Sequence, residues 1–306
     1  MSRERLQIEI LLPTYNGELF LAEQLDSILN QRGDFDLHIT VRDDGSTDST
    51  RKILSYYEST YNVRVIYGTR IGVNASVMAL ADSADTGADL YAFSDQDDVW
   101  YDFRLHEAVT AIQSRETDKP LLWTCKEELT NEKLQVTGYM PYPKYLGNFC
   151  NAVIQNKTPG HTQVFNRALL DLFKGYPAEK IFVYDWVVYL LASVFGEVLY
   201  CPRSCGKYRQ HGKNAIGFSP GRMSHLRRRL KRLFSGALKG IAEQQAYFLT
   251  RYGECLNPND RQILTDFVTS RKRWFSRICF ALTTRVKRDT WFESLQFRIL
   301  YIFGAF

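Results

Sequence analysis

YAFSDQDDVW, residues 91–100, is an apolar strand (Leu90 to Phe93) that runs into Asp95, Asp97 and Asp98, with a helix expected from Asp102 on. Three carboxylates gathered at one strand end repel one another unless something positive sits among them. A hard divalent cation, Mg²⁺ or Mn²⁺, suits that place because it takes one or two carboxylates and leaves its other positions to phosphate oxygens. The competing reading is a solvated turn in which Asp102 caps the next helix. Taken alone, the stretch weighs the two equally. A calcium loop of the EF-hand kind is excluded: counted from Asp95, position six is Trp100 rather than Gly and position twelve is His106 rather than Glu.

Working outward, the preceding chain alternates strand and helix. Ile8–Leu12 is a continuous apolar run that breaks at Pro13-Thr14-Tyr15-Asn16-Gly17, and Leu21, Leu25, Ile28 and Leu29 then recur at helical spacing over Glu18–Gln31. Leu37, Ile39 and Val41 alternate as a second strand ending in Arg42-Asp43-Asp44-Gly45-Ser46. Ser46 or Thr47 is expected to cap a helix over Asp48–Tyr57. A third strand, Val63–Tyr67, leads through Gly68 to Gly72 into a small-residue helix, Val73–Ala84. This order predicts an α/β domain with a parallel, doubly wound sheet, whose ligands bind beyond the carboxyl ends of the strands. Thr14, Tyr15, Asn16, Asp43, Asp44, Arg70 and Asp95 to Asp98 all fall at such ends. No G-x-G-x-x-G follows the first strand and no G-x-x-x-x-G-K-[ST] occurs, so neither a dehydrogenase-type dinucleotide fold nor a P-loop enzyme is expected. A nucleotide held by carboxylates and a metal remains.

Composition narrows the setting. The 306 residues, 45% apolar and 24% charged, suit one α/β domain with an appended region. No secretory signal is read at the start and no apolar run is long enough to cross a bilayer. Six scattered Cys without zinc spacing read as free thiols of a reducing cytosol. The net charge of +5 hides an asymmetry: Arg222 to Asp289 holds sixteen Lys/Arg against five Asp/Glu. A basic tail of that kind meets phospholipid, nucleic acid or polyphosphate.

Pro13–Gly17, Asp43–Asp48, Gly72–Ser76 and Ser94–Trp100, taken together and in this order, resemble the inverting glycosyltransferases of family 2, which have the GT-A fold, a Rossmann-like, mostly parallel nucleotide-binding sheet. The Asp-Gln-Asp-Asp-Val-Trp form, with Tyr208-Arg209-Gln210-His211-Gly212 later, is similar to bacterial polysaccharide rhamnosyltransferases that use dTDP-rhamnose. The resemblance covers roughly residues 6 to 218 and implies a nucleotide-binding part (1–120), an acceptor-binding part (121–218) and a basic helical extension (219–306). It implies that Pro13, Thr14, Tyr15, Asn16, Asp43, Asp44, Arg70, Asp95 and Gln96 bind the nucleotide sugar, with Asp44 accepting from the pyrimidine and Asp95 near the ribose. Asp97 and His211 would hold Mn²⁺ or Mg²⁺, and Arg209 would face the diphosphate.

In the middle of the chain, Leu121–Thr124 reads as a strand and Glu127–Asn156 as an aromatic-rich loop. Thr158–Asn166 fits the relatives' Gly-x-Thr-x-x-Phe-Asn pattern, which implies that Gly160, His161 and Thr162 lie near the acceptor, with Asn166 capping a helix. Phe182-Val183-Tyr184-Asp185-Trp186 opens an apolar helix that Asp185 could simply cap. The resemblance implies that Asp185 is the general base for the acceptor hydroxyl, with Trp186 beside the acceptor, although relatives often carry Glu or His where this chain has Tyr184. An inverting transfer needs one such base, since a cation assists the leaving group.

Two basic amphipathic segments are expected in the tail, Arg222–Phe234 and Ile263–Leu282, the second with Phe267, Val268, Trp274, Phe275 and Ile278 on one stripe. Such helices either fold onto the domain or lie on anionic membrane. The expected protein is therefore a cytoplasmic, metal-dependent glycosyltransferase, peripheral on the inner face of the cell membrane. It would move rhamnose from dTDP-rhamnose, or a hexose from a UDP-sugar, onto a glycan acceptor that is lipid-linked or at the cell surface. A nucleic-acid reader using the tail leaves the carboxylates unexplained, so no nucleic-acid partner is expected. A non-catalytic scaffold is the other alternative, and a homo-oligomer is left open.

Overall fold

Ile8, Ile10, Leu11 and Leu12 are sealed from solvent because β1 (Leu6–Thr14) is an inner strand of a nine-stranded sheet. The structure is a computed structural model that describes residues 5–116, 118–212 and 237–306. β2 (Phe35–Asp43) and β4 (Leu90–Phe93) flank β1 in parallel, and β3 (Arg64–Tyr67) adds in parallel to β2. Side chains alternate across the sheet, as the pleat requires. Ile8, Ile10 and Leu12 pack under α1 (Leu21–Leu29), α2 (Thr50–Tyr61) and α4 (Arg104–Gln113), while Leu11, Tyr91 and Phe93 face a second core on the other side. Each such side chain contributes roughly 1.5–3 kcal/mol by leaving water.

Beyond β4 the strand direction changes. β8 (Val164–Asn166) pairs antiparallel with both β4 and β6 (Leu121–Thr130), β6 runs parallel to β9 (Glu197–Arg209), and β5 (Val99–Trp100) returns antiparallel to β9. β7 (Val136–Tyr139) forms a hairpin with β6. The expected α/β, Rossmann-like sheet is thus formed, with its parallel half carrying the Asp-rich turns. The second core is filled by α3 (Val73–Ser83), α6 (Arg167–Phe173) and α7 (Tyr184–Phe195). It extends without a break into α8 (Ala237–Tyr252), α9 (Pro258–Thr269), α10 (Trp274–Thr283) and α11 (Trp291–Ile302).

Several local expectations change. The helix after β2 begins at Thr50, and it is the Asp48 carboxylate that accepts the Thr50 N–H at 3.0 Å, rather than Ser46 or Thr47. Asp102 does not cap α4 but pairs with Arg32 at 3.1 Å. Residues 127–156 are not all loop: β6 runs on to Thr130, and a short helix, α5 (Phe149–Ala152), buries Phe149. The Ile263–Leu282 stripe is split by a 3₁₀ turn at Ser270–Lys272, so Phe267 points into the core while Trp274 and Phe275 do not. The Arg222–Phe234 segment lies outside the described residues.

Candidate functional site

The turn after β1 is built from interlocking side chains. Gln96 Oε1 accepts from Thr14 Oγ1 at 2.6 Å and from the Tyr15 N–H at 2.9 Å, tying the Asp-rich turn to the end of β1. Asn16, at φ 48°, accepts the Thr47 N–H, and its own N–H reaches Ser46. Pro13 sits opposite Arg42 in the register of β1 and β2. Asp43 is fully buried and gives its oxygens to the Ser46 N–H and to Arg51. Asp44 accepts from Arg42 at 2.6 Å and from the Ile71 and Gly72 N–H groups at 2.8 and 2.9 Å. Burial alone would raise the Asp44 carboxyl, but those donors outweigh it and hold it below its ordinary value. Gly72, at φ 87° with open space beside it, lets the chain turn there into α3. At the rim, the Arg70 guanidinium stacks on the Tyr15 ring, 4.1 Å from its centroid, and donates to its hydroxyl at 2.7 Å.

The three carboxylates of the Asp-rich turn have separate fates. Asp95 keeps more than a third of its side chain in solvent, Asp97 is mostly buried, and Asp98 is 1% exposed. A solvated turn is therefore ruled out. Asp97 Oδ2 meets His211 Nε2 at 2.6 Å, and the imidazole is steadied by the Phe20 ring. Burial and the neighbouring Asp95 charge raise the Asp97 carboxyl against the pull of His211. Arg209 is nearly sealed: its Nε donates to the Asp97 carbonyl at 2.8 Å, its terminal nitrogens reach Glu23 and the Glu132 carbonyl, and its backbone N–H goes to Asp98 Oδ1 at 3.1 Å. It anchors the turn from below.

Behind this turn lies a buried charge group that the sequence reading did not assemble. His161 Nδ1 stands 3.3 Å from Asp95 and 4.0 Å from Asp98, and Nε2 stands 2.7 Å from Glu127. Arg104 clasps Glu127 at 2.9 Å and donates to the His161 carbonyl. Burial works against a charged imidazole here, yet Glu127 and Asp98 prevail and hold His161 well above its ordinary value. Burial, with Glu127, Asp97 and Asp95 beside it, raises the Asp98 carboxyl well above its ordinary value against the pull of His161.

Asp185 lies in the first turn of α7, behind Val183 at the N-cap, so it does not cap the helix. Its Oδ2 accepts the Gly160 N–H at 2.9 Å, while its buried Oδ1 has no hydrogen-bond partner among the described residues. Burial, with the Asp95 charge added, pushes the Asp185 carboxyl up to about 7. A carboxyl poised near neutrality, with one oxygen uncommitted, is equipped for proton abstraction. Gly160 belongs to a 3₁₀ turn, Gly160–Thr162, pinned by the 2.7 Å contact of the Thr162 and Thr124 hydroxyls. A Cβ at 160 would overlap the Tyr184 phenol, so only glycine lets the turn approach α7 this closely.

Thr14, Tyr15, Asn16, Arg70, Asp95, Gln96, Asp97, Arg209 and His211 thus converge at the carboxyl ends of the strands, with Gly160, His161, Thr162 and Asp185 brought to them from the second half of the chain. Trp186 does not join them: it is buried and donates its indole N–H to the Ala152 carbonyl at 2.6 Å. Asn166 does cap α6, accepting the Leu169 N–H. Glu127 and Arg104 were missed, and Asp98, read as one of the three carboxylates of the turn, was given no partner among them. The one available signal was the run of three charges, Lys126 to Glu128, inside the otherwise apolar β6, the middle of which needs a partner when buried.

Two ligand sets could hold a cation. Asp97 and His211, both mostly buried and already in contact, offer a carboxylate and an imidazole, and a cation taken up by them would draw its other ligands from phosphate oxygens and water. Asp95, Asp98 and His161 also bring one ligand atom each to within 4.8 Å of one another, and Asp98 Oδ2 is a buried acceptor lacking a hydrogen bond.

A family model described as glycosyl transferase family 2 matches residues 9–172. The dTDP-rhamnosyl transferase RfbG of Shigella flexneri is 28% identical over 228 residues, covering 67% of this chain and 73% of that one. TarS 1–349 of S. aureus in complex with UDP-GlcNAc superposes with a TM-score of 0.59 at 18% identity, over 97% of this chain and 82% of that one. The mannosyltransferase PcManGT of Pyrobaculum calidifontis, in complex with GDP-Man and Mn²⁺, does so with a TM-score of 0.53 at 16% identity, over 99% and 86% of the two chains. The structural likenesses speak for a shared GT-A-like fold.

Proposed function

The chain belongs to glycosyl transferase family 2, and from that premise we propose that it transfers rhamnose from a dTDP-linked donor, with inversion, onto a growing glycan. What supports this reading above all is that a carboxylate and imidazole pair, Asp97 with His211, lies at the strand ends that also gather Asp185, a buried carboxyl poised near neutrality. The rhamnosyl donor is favoured by the likeness to RfbG. A UDP-hexose is the second reading, favoured by the fold shared with a protein solved with UDP-GlcNAc.

In this mechanism the stacked Tyr15 and Arg70 wall one side of the nucleotide, and the Asp44 oxygens hold the 70–72 loop against it. Asp97 and His211 would hold Mn²⁺ or Mg²⁺, which when bound neutralises charge growing on the departing diphosphate. Asp95 is proposed to receive the donor ribose. On the opposite side, Asp185 Oδ1 takes the proton of the acceptor hydroxyl as that oxygen attacks the anomeric carbon, and Gly160 keeps Oδ2 in place. His161 and Thr162 are buried, and hold the turn that carries Gly160 from behind rather than lining the acceptor site. No helix among the described residues is long and apolar enough to cross a membrane. We place the protein peripherally on the inner face of the cell membrane, where a lipid-linked acceptor would be met.

The test is donor turnover with Mn²⁺ or Mg²⁺ over a panel of dTDP-rhamnose, UDP-glucose and UDP-GlcNAc, repeated on Asp97→Asn and Asp185→Asn. Turnover of dTDP-rhamnose that both variants lose supports the proposal. Absence of turnover with every donor would leave the non-catalytic scaffold standing.

A further inference from the structure

We propose that α10 and α11 form a lipid-docking face that seats the enzyme on an anionic bilayer. The two helices run antiparallel and bury Phe280, Phe297 and Tyr301 between them and the core, with Phe280 and Tyr301 ring centroids 4.5 Å apart. Their outward stripes repeat one pattern. α10 turns out Trp274, Phe275 and Leu282, α11 turns out Trp291, Phe292, Leu295 and Ile299, and Phe303 follows at its C-cap. Both begin with an aromatic pair and continue at helical spacing, so each presents a single apolar edge. The exposure is extreme for such side chains: Phe275 is 76% exposed, Trp291 77% and Phe303 79%. Monomeric soluble proteins rarely leave a patch of that kind to water.

Charge identifies the occupant. From Arg271 to Phe306 the chain has eight Lys/Arg and two Asp/Glu. Among the described residues, no carboxylate pairs with exposed Lys272, Arg273 or Arg285, which flank the aromatic edge. A second protein copy would present the same positive charge and be repelled. An anionic bilayer attracts the basic rim while Trp and Phe settle at headgroup depth. The face is also wired to the acceptor side. Asp289, just before α11, pairs with Lys157 and accepts from Gln155, and the Lys287 N–H reaches the Cys150 carbonyl. Residues 150–157 lead directly into the turn whose Gly160 holds Asp185. Docking by this face would bring a lipid-borne acceptor to the base, so the inference rests on the proposed transfer to a lipid-linked glycan, while its test reads binding alone.

The measurement is flotation of the full chain with vesicles of phosphatidylcholine, with and without phosphatidylglycerol, alongside tryptophan emission. The protein is expected to float with the anionic vesicles, to be released by salt, and to show a blue shift that Trp274→Ser and Trp291→Ser remove. A variant carrying Phe275→Ser, Trp291→Ser, Phe292→Ser and Phe303→Ser should lose at least about tenfold in vesicle affinity, since several buried interfacial anchors are removed. Its donor turnover in the absence of vesicles should be unchanged. The proposal is overturned if the wild type ignores anionic vesicles or if the variant floats equally well. It is likewise overturned if the wild type is a dimer that the variant splits, because a second copy then covers the face. Turnover without flotation would sink this inference alone, and flotation without turnover would sink the proposed reaction alone.

Discussion

Asp97 and His211 are 114 residues apart in the chain and meet at 2.6 Å. The strand β9 makes the meeting possible: it runs beside β6 along its length, and its last residue, Arg209, is stitched to Asp97 and Asp98, so the two residues that follow land over the Asp-rich turn. A lone carboxylate there would be raised by burial and by Asp95, and the imidazole offsets part of that.

If this pair holds the cation, Asp97→Asn and His211→Ala should each cut kcat/KM by about 10²-fold or more, the scale for losing one group that stabilises transition-state charge. Nucleoside diphosphate should raise the melting temperature of the wild type only with Mn²⁺ present, and neither variant should show that metal-dependent rise. Unaltered metal titrations in both variants would assign the cation elsewhere, with Asp95, Asp98 and His161 the next set to test.

Asp185, held up to about 7, makes a pH prediction. A base must be ionised, so kcat/KM should climb as pH rises through about 7, and Asp185→Asn should lose about 10²–10⁴-fold in rate. The stability effect runs the other way. A carboxyl raised on folding binds its proton more tightly folded than unfolded, so its contribution declines as pH rises from about 4 through about 7. At alkaline pH the melting temperature of Asp185→Asn should therefore equal or exceed that of the wild type. A variant that melts well below it would mean that Asp185 is chiefly structural.

Glu127 joins Arg104 to His161 with all three side chains sealed from water. Glu127→Ala should cost about 3–5 kcal/mol in urea denaturation, because breaking a buried pair leaves charge uncompensated. The His161 imidazole should titrate at lower pH in the Glu127→Gln variant, followed by NMR. A loss under about 1 kcal/mol would show that water or a rearranged partner already shares the site.

Gly160→Ala forces a methyl group onto the Tyr184 ring. Overpacking of this kind costs about 1–3 kcal/mol. Because the turn also positions Asp185, kcat should fall along with stability. Tyr184→Phe in the same chain removes the hydroxyl but leaves the ring edge in the way, so only part of the loss should return.

The motif-bearing turns were legible because each depends on a few adjacent residues. An apolar run that ends in Pro-Thr-Tyr-Asn-Gly or Ser-Asp-Gln-Asp-Asp is locally a strand giving way to a loop, and the alternation with helices dictates a parallel sheet. What those turns use their side chains for was less legible. Asp43 lies inward against Arg51, Arg209 anchors a turn from beneath it, and Trp186 belongs to the core. Glu127 gave little sign of its role because its partners, Arg104 and His161, lie 23 and 34 positions away.

By itself, then, the sequence determined the order of strands and helices as far as β4, the Asp-rich turns at the strand ends and the basic balance of the tail, all set by short-range spacing and composition. Only tertiary structure decided which charges meet. It paired His211 with Asp97, enclosed His161 between Glu127 and Asp98, and left one oxygen of Asp185 uncommitted in a buried turn. It also turned Phe267 inward while Trp274 and Trp291 faced out. The reason is that burial and partner distance are products of how distant segments pack, and they set both the charge state of a carboxyl and the side of a helix that water reaches.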